Sequence, residues 1–505
     1  LCPVVGEYDD PFNQRQDVLT IPLSSEGNCL IYGATGNGKT TMITTIISSI
    51  IRNHTPNEVN MYLLDYGSET LKSFSYAPHI GGVVTGTEVE KCINLFKMLI
   101  QELEKRRNLF SPYGGDYESY CKNSGAIIPN IVVVLNNFAG FAELMEDLQD
   151  TFAILTRDCV KYGMYFVVTA NSVNAIRYRI QQNFKMILTM QLNDVSEYSS
   201  ILGKTGGIVP SKYKGRGLIA LDKVYEFQTA YCSEEEDLQE YIRKLCRTQR
   251  EKHSSMAKRI PILPNVVNMD FINGFIAGLE KVPIGVAKND LSIVTYNLKR
   301  RVVMPVIAND MQDMIPFAEE LVHVLNSICN TTVIDIGKEL TKCEKYIGYI
   351  NSANIKEVIL DMFNEMVKRN NHYKDADMDI SVLDEYEEKC YVICGIKQLV
   401  DRLDSDLKDK FLTLLIKAQA FYKIHFVILE TAMQIKSDEY SEWYRMHILN
   451  ADGVWIGDGI ADQYIFKLSK ITRDLYDEVD NNFGYMISKN KPMLIKVLSS
   501  EMKGE

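Results

Sequence analysis

No two cysteines in this sequence stand in a C-x-x-C spacing. The 11 are odd in number and scattered from Cys2 to Cys394, which argues against a disulfide framework or a zinc cluster and fits a reducing cytosol. No apolar run approaches the ~20 residues that a bilayer-spanning helix needs. The longest stretches resemble Ile-Val-Val-Val-Leu at 131–135. A signal peptide and low-complexity tracts are missing too, and the chain opens Leu1-Cys2-Pro3 without a methionine. A piece of a longer protein is therefore expected, with any membrane anchor outside it. Positive charge is in deficit: 55 Lys and Arg face 66 Asp and Glu, for a net charge of −11. That balance disfavours a protein whose main task is gripping a nucleic-acid backbone.

What is present is ordinary for a globular protein, with 46% hydrophobic and 24% charged residues over 505 positions. Such a length exceeds what one core keeps filling, so two or more domains follow.

The chain repeats itself at roughly half its length. Pro3 and Gly6 precede a strand at 18–23, then a buried strand Cys-Leu-Ile-Tyr at 29–32 runs into a glycine-rich loop and a helix. From Pro283 the plan recurs: Gly285, a strand at 291–298, a strand at 302–307, a loop and a helix at 315–328. Short β-branched runs then appear in the same order, at 61–65, 131–135, 166–169 and 186–190 in one half and at 332–336, 391–394, 425–429 and 454–456 in the other. Amphipathic helical patterns at 88–107 and 355–369 lie between them. Strands alternating with helices predict an α/β fold, two domains each with a mostly parallel central sheet and helices on both faces. The boundary is expected in the polar stretch 252–264 after a charged helix at 234–250, giving domains 1–255 and 256–505.

Gly33-Ala34-Thr35-Gly36-Asn37-Gly38-Lys39-Thr40 matches the phosphate-binding pattern G-x-x-x-x-G-K-[ST] between a strand and a helix. Glycines let successive main-chain N–H groups curl toward an anion at a helix N-terminus. Lys39 is expected to reach the β- and γ-phosphates of ATP, and Thr40 to offer its hydroxyl to Mg²⁺. Turnover needs acidic groups at the end of a second strand, yet the run 131–135 ends in Asn136 and Asn137. An amide neither acts as a carboxylate base nor balances a metal's charge. Binding with weak or absent hydrolysis is expected, with Asp65, at the tip of another strand, either substituting or serving as a cap.

In the second half, Ala308-Asn309-Asp310-Met311-Gln312-Asp313-Met314-Ile315 falls on the phosphate loop. Both glycines, the lysine and the hydroxyl are gone, and Asp310 and Asp313 repel phosphate. The strand 391–394 ends in Cys394 and Gly395 where acids would stand. ATP and Mg²⁺ are thus expected in the first domain only, and a binding, regulatory or merely space-filling role in the second.

Asp9-Asp10-Pro11 with Gln14 and Gln16, the phosphate loop and Leu63-Leu64-Asp65-Tyr66 together resemble the EccC/EssC motor ATPases of type VII secretion, relatives of the FtsK/SpoIIIE translocases. So do Pro78-His79-Ile80-Gly81-Gly82-Val83-Val84, Arg106-Arg107, Lys214-Gly215-Arg216-Gly217 and Phe227-Gln228-Thr229-Ala230. Ile262-Leu263-Pro264, Pro283-Ile284-Gly285 and Asp452-Gly453-Val454-Trp455-Ile456-Gly457 extend the likeness through the second half. The resemblance implies tandem RecA-like P-loop domains, the last two in a membrane-anchored motor at the cytoplasmic side of a bacterial membrane. It also implies homo-hexameric rings, contact with the motor's other domains, and helical-hairpin WXG-type substrates received by the terminal domain; no nucleic-acid partner is expected, given the acidic balance. Arg157, Arg177, Arg179 and Arg216 are the candidates for reaching nucleotide across a subunit interface. The competing readings are a DNA translocase segment, disfavoured by the acidic balance, and a scaffold without ligands.

Overall fold

The computed structural model describes residues 1–234, 237–346, 348–351, 354–449 and 451–499. The chain divides into two compact units, Leu1–Ile262 and Leu263–Glu505.

The first unit carries strands β1 (Val4–Asp10), β2 (Arg15–Thr20), β3 (Cys29–Tyr32), β4 (Val59–Asp65), β5 (Ile80–Thr85), β6 (Asn130–Asn136), β7 (Met164–Ala170), β8 (Met186–Met190), β9 (Arg216–Ala220) and β10 (Val224–Thr229). They form one sheet in the order β2-β1-β10-β9-β8-β3-β7-β6-β4-β5. From β8 to β5 all pairs are parallel, while the wing from β2 to β9 is antiparallel. The parallel strands β4, β6 and β7 are buried along nearly their whole length and mostly apolar between their ends because the sheet is covered on both faces: one apolar layer holds Ile43, Ile47 and Val134, the other Leu99, Phe141 and Val133.

The second unit repeats this plan. Its strands are β11 (Val282–Ala287), β12 (Ile293–Tyr296), β13 (Val303–Ala308), β14 (Asn330–Asp335), β15 (Tyr349–Ile350), β16 (Lys389–Cys394), β17 (Ile424–Thr431), β18 (Gly453–Ile456), β19 (Phe483–Ser488) and β20 (Lys491–Val497). Their order, β12-β11-β20-β19-β18-β13-β17-β16-β14-β15, is the first order with ten added to each number. The predicted α/β architecture with two mostly parallel sheets is therefore present.

The repeat extends to single residues. A Cβ on Gly6 would lie 2.0 Å from Gln228 O, and one on Gly285 2.3 Å from Lys496 O, so both edge bulges admit only glycine. Arg106, buried on the helix Val89–Phe110, donates to Glu102 one turn back and to the carbonyls of Tyr162, Gly163 and Pro129. Arg369, on the helix Ile355–Asp375, makes the same turn with Glu365 and the carbonyls of Tyr422 and Lys423. Each buried guanidinium thus staples a covering helix to the turn that enters the central strand.

Two expected strands are shifted or shortened. The one at 18–23 ends at Thr20, since Pro22 lacks a ladder donor, and the one at 291–298 shrinks to β12 after Leu291, whose φ is 59°. The charged helix runs Leu238–Lys252; residues 235 and 236 of the expected 234–250 span lie outside the described ones. The stretch after it is no loose tether. Ala257 N donates to Pro78 O, Ile260 N to Gly81 O, and Tyr62 OH to Lys258 O, laying residues 257–260 against β5. Ile260 is buried there among Tyr62, Leu95 and Leu99.

Candidate functional site

Residues 33–38 bridge β3 and the helix Lys39–Asn53. Gly36 (φ 86°) and Gly38 (φ 100°) adopt left-handed conformations that let the main chain curl before the helix starts. The loop is tied to neighbouring strand ends: Gly33 N donates to Ala170 O, Ala34 N to Gln191 O, and Asn37 Nδ2 to Gln191 O. Beside it opens a cavity of about 500 Å³. Thr35, Gly36, Gly38, Lys39, Thr40 and Thr41 form one wall, and Gly67, Ser68, Asn136, Asn137 and Asn171 the other.

Lys39 Nζ is buried and donates to the carbonyls of Gly33 (2.5 Å) and Ala34 (3.0 Å). Burial lowers its pKa to about 8. Its partners are neutral, and the described residues lining the cavity include no carboxylate. A buried ammonium without a counter-charge, at the head of a helix and under curled amides, fits a polyphosphate. Gly33, Ala34 and Asn37 hold the loop, while Thr35, Gly36, Gly38, Lys39 and Thr40 face the cavity. Thr40, one residue into the helix, is placed to offer its hydroxyl to a cation there.

The opposite wall is a chain of amides. Asn136 Nδ2 donates to Asp65 Oδ1 (2.9 Å), and its Oδ1 accepts from the Thr169 hydroxyl (3.0 Å). Asn137 sits at φ 69°, its N–H on Thr169 Oγ1 (2.8 Å) and its Nδ2 on Tyr66 O (2.9 Å). Asp65 is 1% exposed, and it also accepts from Gly67 N and Leu71 N, so its carboxylate caps the turn Thr70–Tyr76. Of the two roles open to Asp65, the hydrogen bonds describe the cap.

The four arginine candidates do not line the cavity. Arg216 pairs with Asp9 (2.9 Å), Arg157 with Asp158 and Arg179 with Asp150, while Arg177 lies on the surface before the short helix Tyr178–Gln181. The turn containing Arg216 does reach the loop through its backbone: a Cβ on Gly38 would lie 3.5 Å from Gly215 Cα. Asn171, Ser68 and Gly67 were not anticipated. They follow strands β7 and β4, and only the rule that ligands gather at the carboxyl ends of parallel strands signals them.

In the second unit only Asn309 and Asp310 separate β13 from the helix Met311–Ile328, where the first unit has six residues. The chain winds straight into the helix, with Asp310 as its cap on Gln312 N (3.0 Å). Local side chains close on one another: Cys394 Sγ donates to Met311 Sδ, Gln312 Nε2 to Glu339 Oε2, and Asn309 Nδ2 to Asp458 O. Gly395 keeps the left-handed conformation of Asn137 (φ 73°), and Asp335 keeps the capping role of Asp65 through Glu339 N and Leu340 N.

Residues 7–205 match the FtsK/SpoIIIE family. Over 513 aligned residues the chain is 22% identical to the type VII secretion system protein EssC of Staphylococcus aureus (strain MRSA252), covering 98% of this chain and 33% of that protein. It is 30% identical over 308 residues to the ESX secretion system protein EccC of Thermomonospora curvata, covering 58% of this chain and 23% of that one. The chain thus spans about a third or less of the length of these relatives. Among solved structures, EssC (ATPases 2 and 3) from Geobacillus thermodenitrificans superposes with a TM-score of 0.84 at 21% identity, over 99% of this chain and 96% of that one. EccC (ATPases 2 and 3) of T. curvata, in complex with a signal sequence peptide, gives 0.58 at 22% identity, over 99% and 93%. The resemblance to EccC/EssC motor ATPases and the tandem α/β architecture are both borne out.

Proposed function

We propose that this chain is the tandem ATPase segment of a type VII secretion motor, in which the first unit holds ATP and Mg²⁺ with little turnover and the second receives export substrates. The observation that carries the first half is the buried Lys39 ammonium, set under the curled loop with neutral partners and no carboxylate in the cavity wall. A bound nucleotide would supply negative charge to that site, with the Thr40 hydroxyl as a ligand for its Mg²⁺. Asn136, Asn137 and Asn171 orient water or phosphate oxygens by hydrogen bonding but take no proton from an attacking water. The nucleotide then acts as a structural ligand that orders the first unit.

The second unit lacks the loop, which supports restricting ATP to the first. Its role as a receptor for extended segments is supported by the repeat: residues 257–260 lie against edge strand β5, and β15 is the corresponding edge strand. The T. curvata EccC relative was solved with a signal sequence peptide, in line with such a role. In the full motor we place the segment at the cytoplasmic side of the membrane, in homo-hexameric rings, beside the motor's other domains, handling helical-hairpin WXG-type proteins and not nucleic acid. Thermal unfolding with Mg-ATP, repeated with peptides from the signal ends of such substrates, tests both halves. Stabilisation by nucleotide that Lys39→Ala removes, and peptide binding that this change leaves intact, are expected. Duplex DNA binding in the micromolar range that falls steeply with salt would support the DNA-pump reading instead.

A further inference from the structure

The first unit carries a second large cavity, about 580 Å³, between the turn Thr70–Tyr76 and the helix Leu238–Lys252. Its walls are Lys72, Arg243 and Arg247, with Tyr76 and the loop residue Glu69. Arg243, Arg247 and Arg250 stand at i, i+4 and i+7, one stripe along about 10 Å of helix. Arg250 lies over the Tyr76 ring at 5.6 Å, and that ring is 65% exposed. Arg243 reaches Glu240 only at 3.6 Å, and among the described residues neither Lys72 nor Arg247 pairs with a carboxylate. In a chain of net charge −11, this is a local reversal of sign.

The geometry points to a docking groove for an acidic protein segment, whose carboxylates meet the arginine stripe and Lys72 while an apolar side chain covers Tyr76. Three features favour this occupant. The donors stand on the rim and are exposed, so they suit several carboxylates spread along a chain better than one enclosed phosphate. Arginine forks take carboxylates two-pronged, and a carboxylate every third or fourth residue of a helix repeats at the spacing of the stripe. Glu69 within the groove repels a uniformly anionic surface but sets the register of a discrete segment, which disfavours a membrane or nucleic acid as occupant.

The test uses the 505-residue chain and a fluorescein-labelled deca-glutamate peptide, followed by anisotropy at low and at physiological salt. Binding that weakens steeply with salt is expected, with at least a tenfold loss in Arg243→Glu/Arg247→Glu and in Lys72→Glu. The exposed control Lys470→Glu should bind as the parent does. All four sites are on the surface, and an unchanged thermal midpoint confirms folding of each variant. Equal binding by parent and groove variants, or no binding at low salt, overturns the proposal. Phosphatidylglycerol vesicles serve as a competitor arm: tighter binding to them than to the peptide, lost in the same variants, would assign the groove to a membrane and overturn it as well.

Discussion

The side-chain amide of Asn136 donates 2.9 Å to Oδ1 of Asp65, across two neighbouring parallel strands at the mouth of the candidate nucleotide cavity. The position from which a P-loop enzyme would aim its acidic group is here occupied by a donor that holds a capping aspartate in place.

Asn136→Asp would set two carboxylates at hydrogen-bond distance in a buried site. One of the pair must then hold its proton above the ordinary carboxylate range. A folded-state pKa raised above the unfolded value gives stability that is present at low pH and lost as pH rises through it. The variant is expected to lose about 2–3 kcal/mol at pH 8 and to recover part of this near pH 4.5. Thermal or urea unfolding at the two pH values checks it. For the same reason, Asn136→Asp with Asn137→Glu should restore little phosphate release unless Asp65 is changed too.

Burial holds Lys39 at about 8, and a polyphosphate beside it raises that value. Nucleotide binding near pH 8 should therefore take up protons, and affinity should fall as pH rises from 7.5 to 9.5. Calorimetric titrations in two buffers of different ionisation heat measure the uptake directly. In the free protein the sign is opposite: the unfolded chain keeps Lys39 protonated to higher pH, so this group adds stability as pH rises above about 8.

Arg106 is buried with its guanidinium shared between Glu102 and three carbonyls. Arg106→Ala leaves three carbonyl acceptors without their donor and takes the main partner from the half-buried Glu102 carboxylate, and should cost about 3–5 kcal/mol. Arg369→Ala should cost a similar amount in the second unit. Urea midpoints of the two variants check the equivalence the repeat predicts.

Ile260 packs into the first unit's core from the stretch that follows its last helix. Ile260→Ala is expected to cost about 2–4 kcal/mol and to open residues 253–262 to proteolysis, read as a faster cut between the two halves.

The architecture was legible because parallel strands buried on both faces must be apolar through their middle residues. Runs such as 131–135 and 186–190 therefore stand out without any turn signal. Most of the antiparallel wing was not, since β1, β10 and β20 alternate buried with more exposed residues or carry charge, as strands with one solvated face do. The phosphate loop was readable because its glycines and lysine are local in sequence. The other wall was only half readable: Asn136 and Asn137 follow an obvious strand, but the Asp65–Asn136 contact spans 71 positions and exists only through strand pairing. The basic groove joins residues 69–76 to 243–247, a partnership invisible to spacing. In the second unit, no periodicity signals that the loop has been wound into the helix instead of merely altered in composition.

Each chain is expected to hold a single nucleotide, at the site built on Lys39. Equilibrium titration of the full chain with a fluorescent non-hydrolysable ATP analogue and Mg²⁺ tests it most directly, with Lys39→Ala and Asp310→Ala measured in parallel. One equivalent is expected to bind per chain, lost in the first variant and untouched in the second. Two equivalents, or one that survives Lys39→Ala, would contradict it.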